Sequence, residues 1–319
     1  MTTPAPTPCA ICGAPPGPDV ETATVPSNVR AHRDERFAVW RCGACRSIHA
    51  RDDVDLDHYY RDYPFLRARD SRVLRYFQRR LWRRVERAGA RRDHAVLDYG
   101  CGGGLLVTLL RRRGWAGATG YDAYAEAWAD PATLDARYDV VFSQDVIEHV
   151  ADPLALLATF ERLCRPGGLI AIGTPDAAAI DLADVDRHRH SLHQPYHRHV
   201  LAHPALIAAA RARGWRLVAH HRRPYTNTPV PTLNQPYLLR YLRAFDDTVD
   251  VAYDPPRVSW RMFTPGALFD AVFGGLRCPP TEGLAIFRTP APALAAAEIV
   301  AAAAPAAPGA PPPSGILGG

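Results

Sequence analysis

The sequence predicts an α/β fold built on a mostly parallel sheet that ends in an antiparallel strand, preceded by a small cysteine-rich unit. Between residues 94 and 221, short apolar segments alternate with segments of helical periodicity, which is typical of strands joined by crossover helices. Two C-x-x-C pairs near the N-terminus stand apart from that alternation. The chain has 319 residues, enough for one large domain with appendages.

The composition is typical of a folded protein and sets few limits on function. Hydrophobic residues make up 47% of the chain and charged residues 22%, and no apolar run is long enough to span a bilayer. The first residues lack a secretory signal pattern, so we expect a cytoplasmic protein without a membrane partner. The net charge is +5, and all 38 basic residues are arginine. We interpret these dispersed arginines as solvated surface, with polyanion binding as the alternative.

Residues 1–50 carry two cysteine pairs with the pattern of a zinc ribbon. Cys9 and Cys12 form one pair, and Cys42 and Cys45 form the other. Two such pairs bring four thiolates into tetrahedral reach, which predicts a structural Zn²⁺ site; four unrelated reduced cysteines are the alternative. The 29 residues between the pairs predict a loop, and "ERFAVWRC" alternates like a strand.

The rest of the chain divides by pattern into four parts. Residues 51–90 are predicted to form a helical linker or lid, with Leu74, Phe77, Leu81 and Val85 on one helix face. Residues 91–223 form the predicted α/β core. Residues 224–290 add a Pro-rich insertion, with a helix near "YLLRYLRAF", and the final strand at "GLAIFRT". Residues 291–319 are an Ala/Pro tail that we expect to be disordered.

The turn after the first core strand exposes an unusually bare backbone. In "AVLDYGCGGGLL", Asp98 precedes Gly100, Gly102 and Gly104, and a helix follows. Glycines let a ligand approach the backbone, and the helix start offers free N–H groups. A phosphate loop needs a lysine, which the chain lacks, and the dinucleotide spacing fails at Leu105. The preceding acid favours a ligand with cationic groups, such as S-adenosylmethionine, over a purely structural turn.

A second acid supports the same ligand. Asp122 closes "TGYD" at the end of the second predicted core strand. A carboxylate in that position can accept hydrogen bonds from both hydroxyls of a ribose. The two acids and the glycine loop together therefore indicate a nucleoside ligand without phosphate.

Four motifs in order resemble those of class I S-adenosylmethionine-dependent methyltransferases: "LDYGCGGG", "GYDA", "YDVVFSQDVIEHVADP" and "LCRPGGLIAIGTP". The resemblance covers roughly residues 90–220 and implies a Rossmann-like fold. The cysteine pairs and "HYYRDYPF" also resemble a branch with an N-terminal zinc-binding domain, which includes sugar C-methyltransferases acting on nucleotide-linked deoxysugars. One departure is that the family usually has a helix and a strand between Asp122 and Tyr138, where this chain has too few residues. The acid beside the adenine therefore stays open, with Asp130 as a candidate.

The resemblance implies roles for individual residues. The glycine loop and Asp98 would contact the methionine part, and Asp122 the ribose. Gln144 and Asp145 would lie beside the reacting methyl group. Tyr59 and its neighbouring tyrosines would form a lid, with ordinary aromatic packing as the alternative. The predicted cofactor-binding residues are Asp98, Gly100, Cys101, Gly102, Gly104, Asp122, Gln144, Tyr60 and Tyr63.

Methyl transfer needs alignment and, for some acceptors, a base, for which histidine is suited near neutral pH. His149 in "DVIEHV" is one candidate, with a structural role as the alternative. The segment "HRHSLHQPYHRH" holds five more histidines, and we expect His193, His197 or His199 to act as base or substrate ligand. We do not expect a metal site in this segment, because Pro195 interrupts the single helically spaced pair. The candidate catalytic residues are His149, His193, His197, His199 and Asp145.

These patterns predict an S-adenosylmethionine-dependent methyltransferase whose acceptor is a small molecule, such as a nucleotide sugar or a natural-product intermediate. The insertion at 224–280 would shape the acceptor pocket, and the acceptor atom stays open among carbon, nitrogen and oxygen. One alternative is an RNA methyltransferase that grips RNA with the ribbon and the arginines. The strand before "SQDV" lacks the Asn/Asp-Pro-Pro-Tyr/Phe signature of base methylases, which argues against a nucleic-acid substrate. The other alternative is a non-catalytic scaffold.

Overall fold

The structure is a computed structural model that describes residues 8–18, 20–67 and 70–291. The predicted disordered tail lies outside the described residues from residue 292 onward. Within the described ranges, no helix is long and apolar enough to cross a membrane.

The described chain forms ten strands in two sheets. The strands are β1 (Thr22–Pro26), β2 (Arg36–Arg41), β3 (Ile48–Ala50), β4 (Val96–Tyr99), β5 (Ala118–Tyr121), β6 (Tyr138–Gln144), β7 (Cys164–Pro175), β8 (His199–Val200), β9 (Arg216–His221) and β10 (Glu282–Arg288). The larger sheet has the order β5-β4-β6-β7-β10-β9, and the smaller one β1-β2-β3-β8.

The larger sheet is the α/β core predicted from the sequence. Strands β5, β4, β6 and β7 pair in parallel, whereas β10 pairs antiparallel with both β7 and β9. Apolar runs such as Val140–Phe142 and Leu169–Ile172 are buried because helices cover both faces of the sheet. The predicted mostly parallel sheet with a final antiparallel strand is confirmed.

Eight α-helices accompany the strands. They are α1 (Leu56–Tyr60), α2 (Arg72–Arg87), α3 (Leu105–Arg112), α4 (Pro153–Leu163), α5 (Val185–Leu192), α6 (His203–Ala212), α7 (Gln235–Arg243) and α8 (Pro265–Phe273). Helix α2 begins at the Ser71 cap, whose side chain accepts a hydrogen bond from the Leu74 N–H, and it buries Phe77, Leu81 and Val85 as predicted. Leu74, from the same predicted face, is only half-buried.

The connection between β5 and β6 is too short for the additional helix and strand that the resembled family usually has there, as the sequence indicated. Residues 123–137 form only two 3₁₀ turns, Glu126–Trp128 and Pro131–Leu134. With no further strand, β5 is the edge of the sheet. The Trp128 indole lies against Gly104, so this connection supports the glycine loop directly.

The smaller sheet joins the N-terminal region to the core. Its fourth strand, β8, comes from residues that follow α5, and His49 of β3 pairs with His199 of β8. Arg41, 2% exposed, donates hydrogen bonds to the carbonyl oxygens of Ala177 and Ile180 at 2.9 and 2.7 Å. The N-terminal sheet is therefore packed on the segment that carries the predicted histidines.

Candidate functional site

A large cavity opens at the carboxyl ends of β4, β5 and β6. Its volume is about 1530 Å³, and Asp98, Asp122 and Gln144 line it at the three strand ends. In open α/β sheets, ligands bind at this edge, where the strand order reverses. The cavity continues past β7 to the insertion after β9, so it has room for more than one ligand.

The glycine loop lies at one end of the cavity, and its three predicted glycines serve different purposes. Gly100 and Gly104 have φ of +79° and +71°, and a Cβ on them would overlap Val146 and Trp128, respectively. Gly102 has φ of +52°, but the space in front of it is open. The fold itself therefore requires glycine at positions 100 and 104, whereas Gly102 leaves its backbone accessible to a ligand.

Asp98 is a buried acid without a partner. It is 5% exposed and lines the cavity, and no hydrogen bond or ion pair reaches its carboxylate from the described part of the chain. Burial, followed by repulsion from Asp122, raises the pKa of Asp98 to about 7. A ligand ammonium would supply the missing positive charge, so this donor set fits the amino-acid end of S-adenosylmethionine.

Asp122 holds the glycine loop as well as facing the cavity. Its Oδ2 accepts a hydrogen bond from the Gly102 N–H at 2.8 Å, and its Oδ1 accepts one from the Tyr124 N–H at 2.9 Å. Each carboxylate oxygen keeps a further lone pair that can accept from a ligand hydroxyl. Cys101 also lines this end of the cavity.

The three predicted lid tyrosines separate in the structure. Tyr60 and Tyr63 line the cavity, and Tyr60 stacks on Tyr124 at 5.1 Å between ring centroids. The Tyr59 hydroxyl instead donates to Glu35 Oε2 at 2.6 Å, outside the cavity lining. Helix α1 therefore divides its tyrosines between the cavity and the N-terminal sheet.

Gln144 and Asp145 lie in the middle of the cavity, and acids collect around them. The Gln144 amide nitrogen donates to Asp145 Oδ1 at 2.8 Å, and Asp145 has φ of +55°. Burial raises the pKa of Asp145 to about 6. Glu148 and Glu282 line the same region, and burial and the nearby Asp145 charge raise the pKa of both well above the ordinary glutamate value.

Three of the four candidate histidines meet at the other end of the cavity. His149, His193 and His197 all line it, with the His149 and His193 ring centroids 4.8 and 5.0 Å from that of His197. Burial lowers the pKa of His149 to about 4 and those of His193 and His197 well below 6.5, so all three imidazoles are neutral at pH 7.

His193 is held in one tautomer by a chain of hydrogen bonds. His190 Nε2 donates to Asp247 Oδ1 at 2.9 Å, and the Asn28 amide nitrogen donates to His190 Nδ1 at 3.1 Å. The Asn28 oxygen therefore faces His193 and accepts from its Nδ1–H at 2.6 Å. His193 Nε2 is left with a free lone pair and has no hydrogen-bond partner.

Two sequence candidates lie away from the cavity. His199 does not line it: its Nε2 donates to the Ala151 carbonyl at 3.1 Å, and its Nδ1 lies 2.9 Å from His49 Nδ1. Asp130 is exposed and caps a 3₁₀ turn through the Ala132 N–H. Neither side chain contacts the place where a ligand would bind.

Glu148, Glu282 and Asn28 belong to the site but were not predicted from the sequence. Glu148 directly precedes His149 in "DVIEHV", and this adjacency to a candidate residue after a predicted strand was the available sequence signal; the structure shows that Glu148 is buried. Asn28 lies 165 residues before His193, and no local pattern points to it.

The four paired cysteines form a second site in the N-terminal region. Their sulfur atoms lie within 4.8 Å of one another, with Cys9 and Cys45 at 3.5 Å and Cys12 and Cys42 at 3.6 Å. A tetrahedral Zn²⁺ site with Zn–S bonds of about 2.3 Å separates its sulfurs by about 3.8 Å. The four thiols therefore fit Zn²⁺ closely.

Comparison with known proteins agrees with this fold. Residues 69–220 match a family described as "Methyltransferase domain". Ubiquinone biosynthesis O-methyltransferase of Cereibacter sphaeroides is 39% identical over 100 residues, which are 25% of this chain and 40% of the relative. The protein of that name from Dinoroseobacter shibae is 31% identical over 176 residues, which are 48% of this chain and 65% of the relative. The chain thus spans less than two thirds of either relative.

Among solved structures, an S-adenosylmethionine-dependent methyltransferase from Mesorhizobium loti matches 66% of this chain and 97% of its own, at 14% identity and a TM-score of 0.40. The sheet order and the cavity at its switch point define a Rossmann-like class I methyltransferase fold. The match to the methyltransferase-domain family covers the segment from α2 to β9, residues 69–220.

Proposed function

We propose that the protein transfers a methyl group from S-adenosylmethionine to a hydroxyl group of a small molecule. The observation that carries the proposal is that one continuous cavity joins the glycine loop and the unpartnered Asp98 to a cluster of neutral histidines. One end of the cavity suits the cofactor and the other suits an acceptor that must lose a proton.

The cofactor end would hold S-adenosylmethionine through three groups. Asp98 faces the ammonium, the Gly102 backbone lies along the methionine part, and the Asp122 carboxylate accepts from the ribose hydroxyls. The bound cofactor supplies a methyl group on a sulfonium, which needs no further activation. The chain's task is then to align the acceptor with that methyl group and to take up its proton.

His193 is the candidate base. Its Nδ1–H is fixed on Asn28, so Nε2 presents a lone pair, and burial keeps the ring neutral at pH 7. The bound cofactor would supply the methyl group and keep the carbon–sulfur electron pair, and His193 would take up the proton of the acceptor hydroxyl. Tyr60 and Tyr63 cover the reacting groups and exclude water.

The relatives support oxygen as the acceptor atom. Both proteins compared above are named as O-methyltransferases, and they are 31–39% identical to this chain over the aligned segments. Residues of the insertion after β9, including Tyr225, Gln235 and Tyr253, also line the cavity, which suits a small molecule better than a polynucleotide.

We also infer that Cys9, Cys12, Cys42 and Cys45 hold a structural Zn²⁺. Three of the four cysteines are at least partly buried, and Cys9 and Cys42 pack into the main apolar core. The ion would fix the N-terminal sheet and thereby the residues that orient His193.

Transfer of label from methyl-tritiated S-adenosylmethionine into a fractionated cell extract tests the proposal. Asp122→Ala should abolish the transfer, whereas Asp34→Ala, at a side chain 97% exposed, should leave it unchanged. Label in the small-molecule fraction supports the proposal. Label in RNA overturns the choice of acceptor, and failure to bind S-adenosylhomocysteine in calorimetry overturns the whole proposal.

A further inference from the structure

We propose that Glu148, His149 and His197 bind a divalent transition-metal ion inside the cavity. One ligand atom from each of these side chains lies within 4.8 Å of the others. Two imidazoles and a carboxylate form a donor set suited to Mn²⁺, Fe²⁺, Co²⁺ or Zn²⁺, and the cavity leaves positions for further ligands.

Glu148 has one carboxylate oxygen without a partner. The side chain is 0% exposed, and its Oε2 accepts a hydrogen bond from the Thr174 hydroxyl at 3.0 Å. Its Oε1 has no hydrogen bond and lies 3.9 Å from His197 Nε2. A buried carboxylate oxygen left in this way is costly unless a cation or a donor satisfies it.

His197 is fixed in the tautomer that a metal ligand needs. Its Nδ1–H donates to the Ser191 carbonyl at 2.9 Å, so Nε2 carries the lone pair that faces Glu148. A backbone carbonyl on the far nitrogen is the usual support of a metal-binding histidine. The free Nε2 and the free Oε1 thus face each other at 3.9 Å, which is too far apart for a hydrogen bond between them.

His149 completes the set from the side of the lid. The Tyr60 hydroxyl lies 3.1 Å from His149 Nδ1, so a hydrogen bond between them can fix which ring nitrogen carries the proton. Tyr60 would then act as the positioning residue of this ligand, as the Ser191 carbonyl does for His197.

The acidic side chains around the proposed ligands also favour a bound cation. Asp145 and Glu282 lie in the same part of the cavity as Glu148. Within residues 8–18, 20–67 and 70–291, no arginine forms an ion pair with any of these three acids. A divalent ion would balance this negative charge at the one place where neutral imidazoles can share its coordination.

The role of the ion rests on the proposed function. A cation held here would polarise the acceptor oxygen, so that a weak base such as His193 could take the proton. His193 is not one of the three proposed ligands, so it remains free to act as the base.

Metal titration of the full chain, with its cysteine site already loaded with Zn²⁺, tests the proposal. The wild type should bind one additional Mn²⁺ per chain, counted by electron paramagnetic resonance of the free ion. Co²⁺ added in its place should give ligand-field bands of nitrogen and oxygen coordination, distinct from the thiolate charge-transfer bands of the cysteine site. Absence of both signals would overturn the proposal.

Two ligand variants and one matched control locate the ion. Glu148→Gln and His197→Gln should each weaken Mn²⁺ binding by at least about tenfold, because even supporting residues of metal sites have effects of that size. His94→Gln, which removes a histidine outside the cavity lining, should leave binding unchanged. Equal Mn²⁺ affinity in the wild type and both ligand variants would contradict the assignment.

The metal and the methyl transfer can fail separately. Methyl transfer without Mn²⁺ binding would overturn the metal site and leave the proposed function intact. Mn²⁺ binding without methyl transfer to any fraction would keep the metal site and overturn the function. Circular dichroism and thermal unfolding of each variant verify that it is folded, and the Co²⁺ bands of the wild type require no variant.

Discussion

The two ends of the cavity are built from the chain in different ways. The glycine end comes from one continuous stretch, residues 96–122, in which β4, the loop, α3 and β5 follow one another. The histidine end gathers residues that are far apart in sequence, namely Asn28, Tyr63, Glu148, His193 and His197. The first is a local property of a strand and a turn, whereas the second exists only when the whole chain has folded.

The two ends also rest on different supports. The larger sheet and Trp128 hold the glycine loop. The N-terminal sheet holds the histidine end, because Asn28 bonds His193, the Ser27 carbonyl accepts from Arg189 at 2.7 Å, and β3 pairs with β8. Damage to one end should therefore spare the other.

The largest effect should follow loss of the proposed Zn²⁺ site. Structural Zn²⁺ binding contributes about 10 kcal/mol or more to the folding of small zinc domains. Cys45→Ser should abolish Zn²⁺ retention, lower the thermal midpoint and suppress methyl transfer, because the N-terminal sheet no longer holds Asn28. Binding of S-adenosylhomocysteine, measured by calorimetry, should persist. Equal loss of cofactor binding and turnover would show that the two ends are not separable.

The next largest effect should come from His193→Gln. Removal of a general base slows catalysis by about 10²- to 10⁴-fold. The turnover number should fall by that factor, and cofactor affinity should stay at the wild-type value because the glycine end is untouched. His94→Gln is the matched control and should have wild-type kinetics. A rate within twofold of the wild type in His193→Gln would remove His193 from the mechanism.

A smaller effect should distinguish two adjacent glycines. Gly104→Ala places a Cβ at φ of +71° and against the Trp128 ring, whereas Gly103→Ala meets nothing within 4 Å and has no positive φ. Backbone strain and overpacking together should cost Gly104→Ala about 2–4 kcal/mol. Chemical denaturation should show that loss and a near wild-type free energy of unfolding for Gly103→Ala. Similar values for both variants would contradict the close contact with Trp128.

The same local-versus-distant difference explains what the sequence could predict. The strands of the core, the glycine loop with Asp98, and the missing strand before Tyr138 all follow from residue types over short stretches. The cysteine pairs could be found because metal ligation imposes a short spacing within each pair. These features need no knowledge of the tertiary structure.

The histidine end could not be predicted to the same degree. His193, His197 and His199 lie in the same histidine-rich segment, and the local sequence does not distinguish them. In the structure, β8 directs His199 toward His49, whereas the other two line the cavity. Pro195 argues against a helical metal pair, but the proposed ligands Glu148 and His149 come from the loop after β6. Only tertiary structure brings that loop to His197.

The smallest predicted effect is a pH dependence confined to the glycine end. Burial raises the pKa of Asp98 to about 7, so the carboxyl is protonated below that pH and charged above it. A cofactor ammonium prefers the charged form. The affinity for S-adenosylhomocysteine should therefore rise by up to about tenfold per pH unit between pH 5 and 7 and level off above. Because the pKa of Asp98 is raised on folding, the contribution of Asp98 to the stability of the unliganded protein should fall as the pH rises from about 4 to 7. Asp98→Asn should flatten the pH dependence of the affinity, whereas His193→Gln should leave that dependence unchanged; a wild-type affinity independent of pH would show that Asp98 does not face the ammonium.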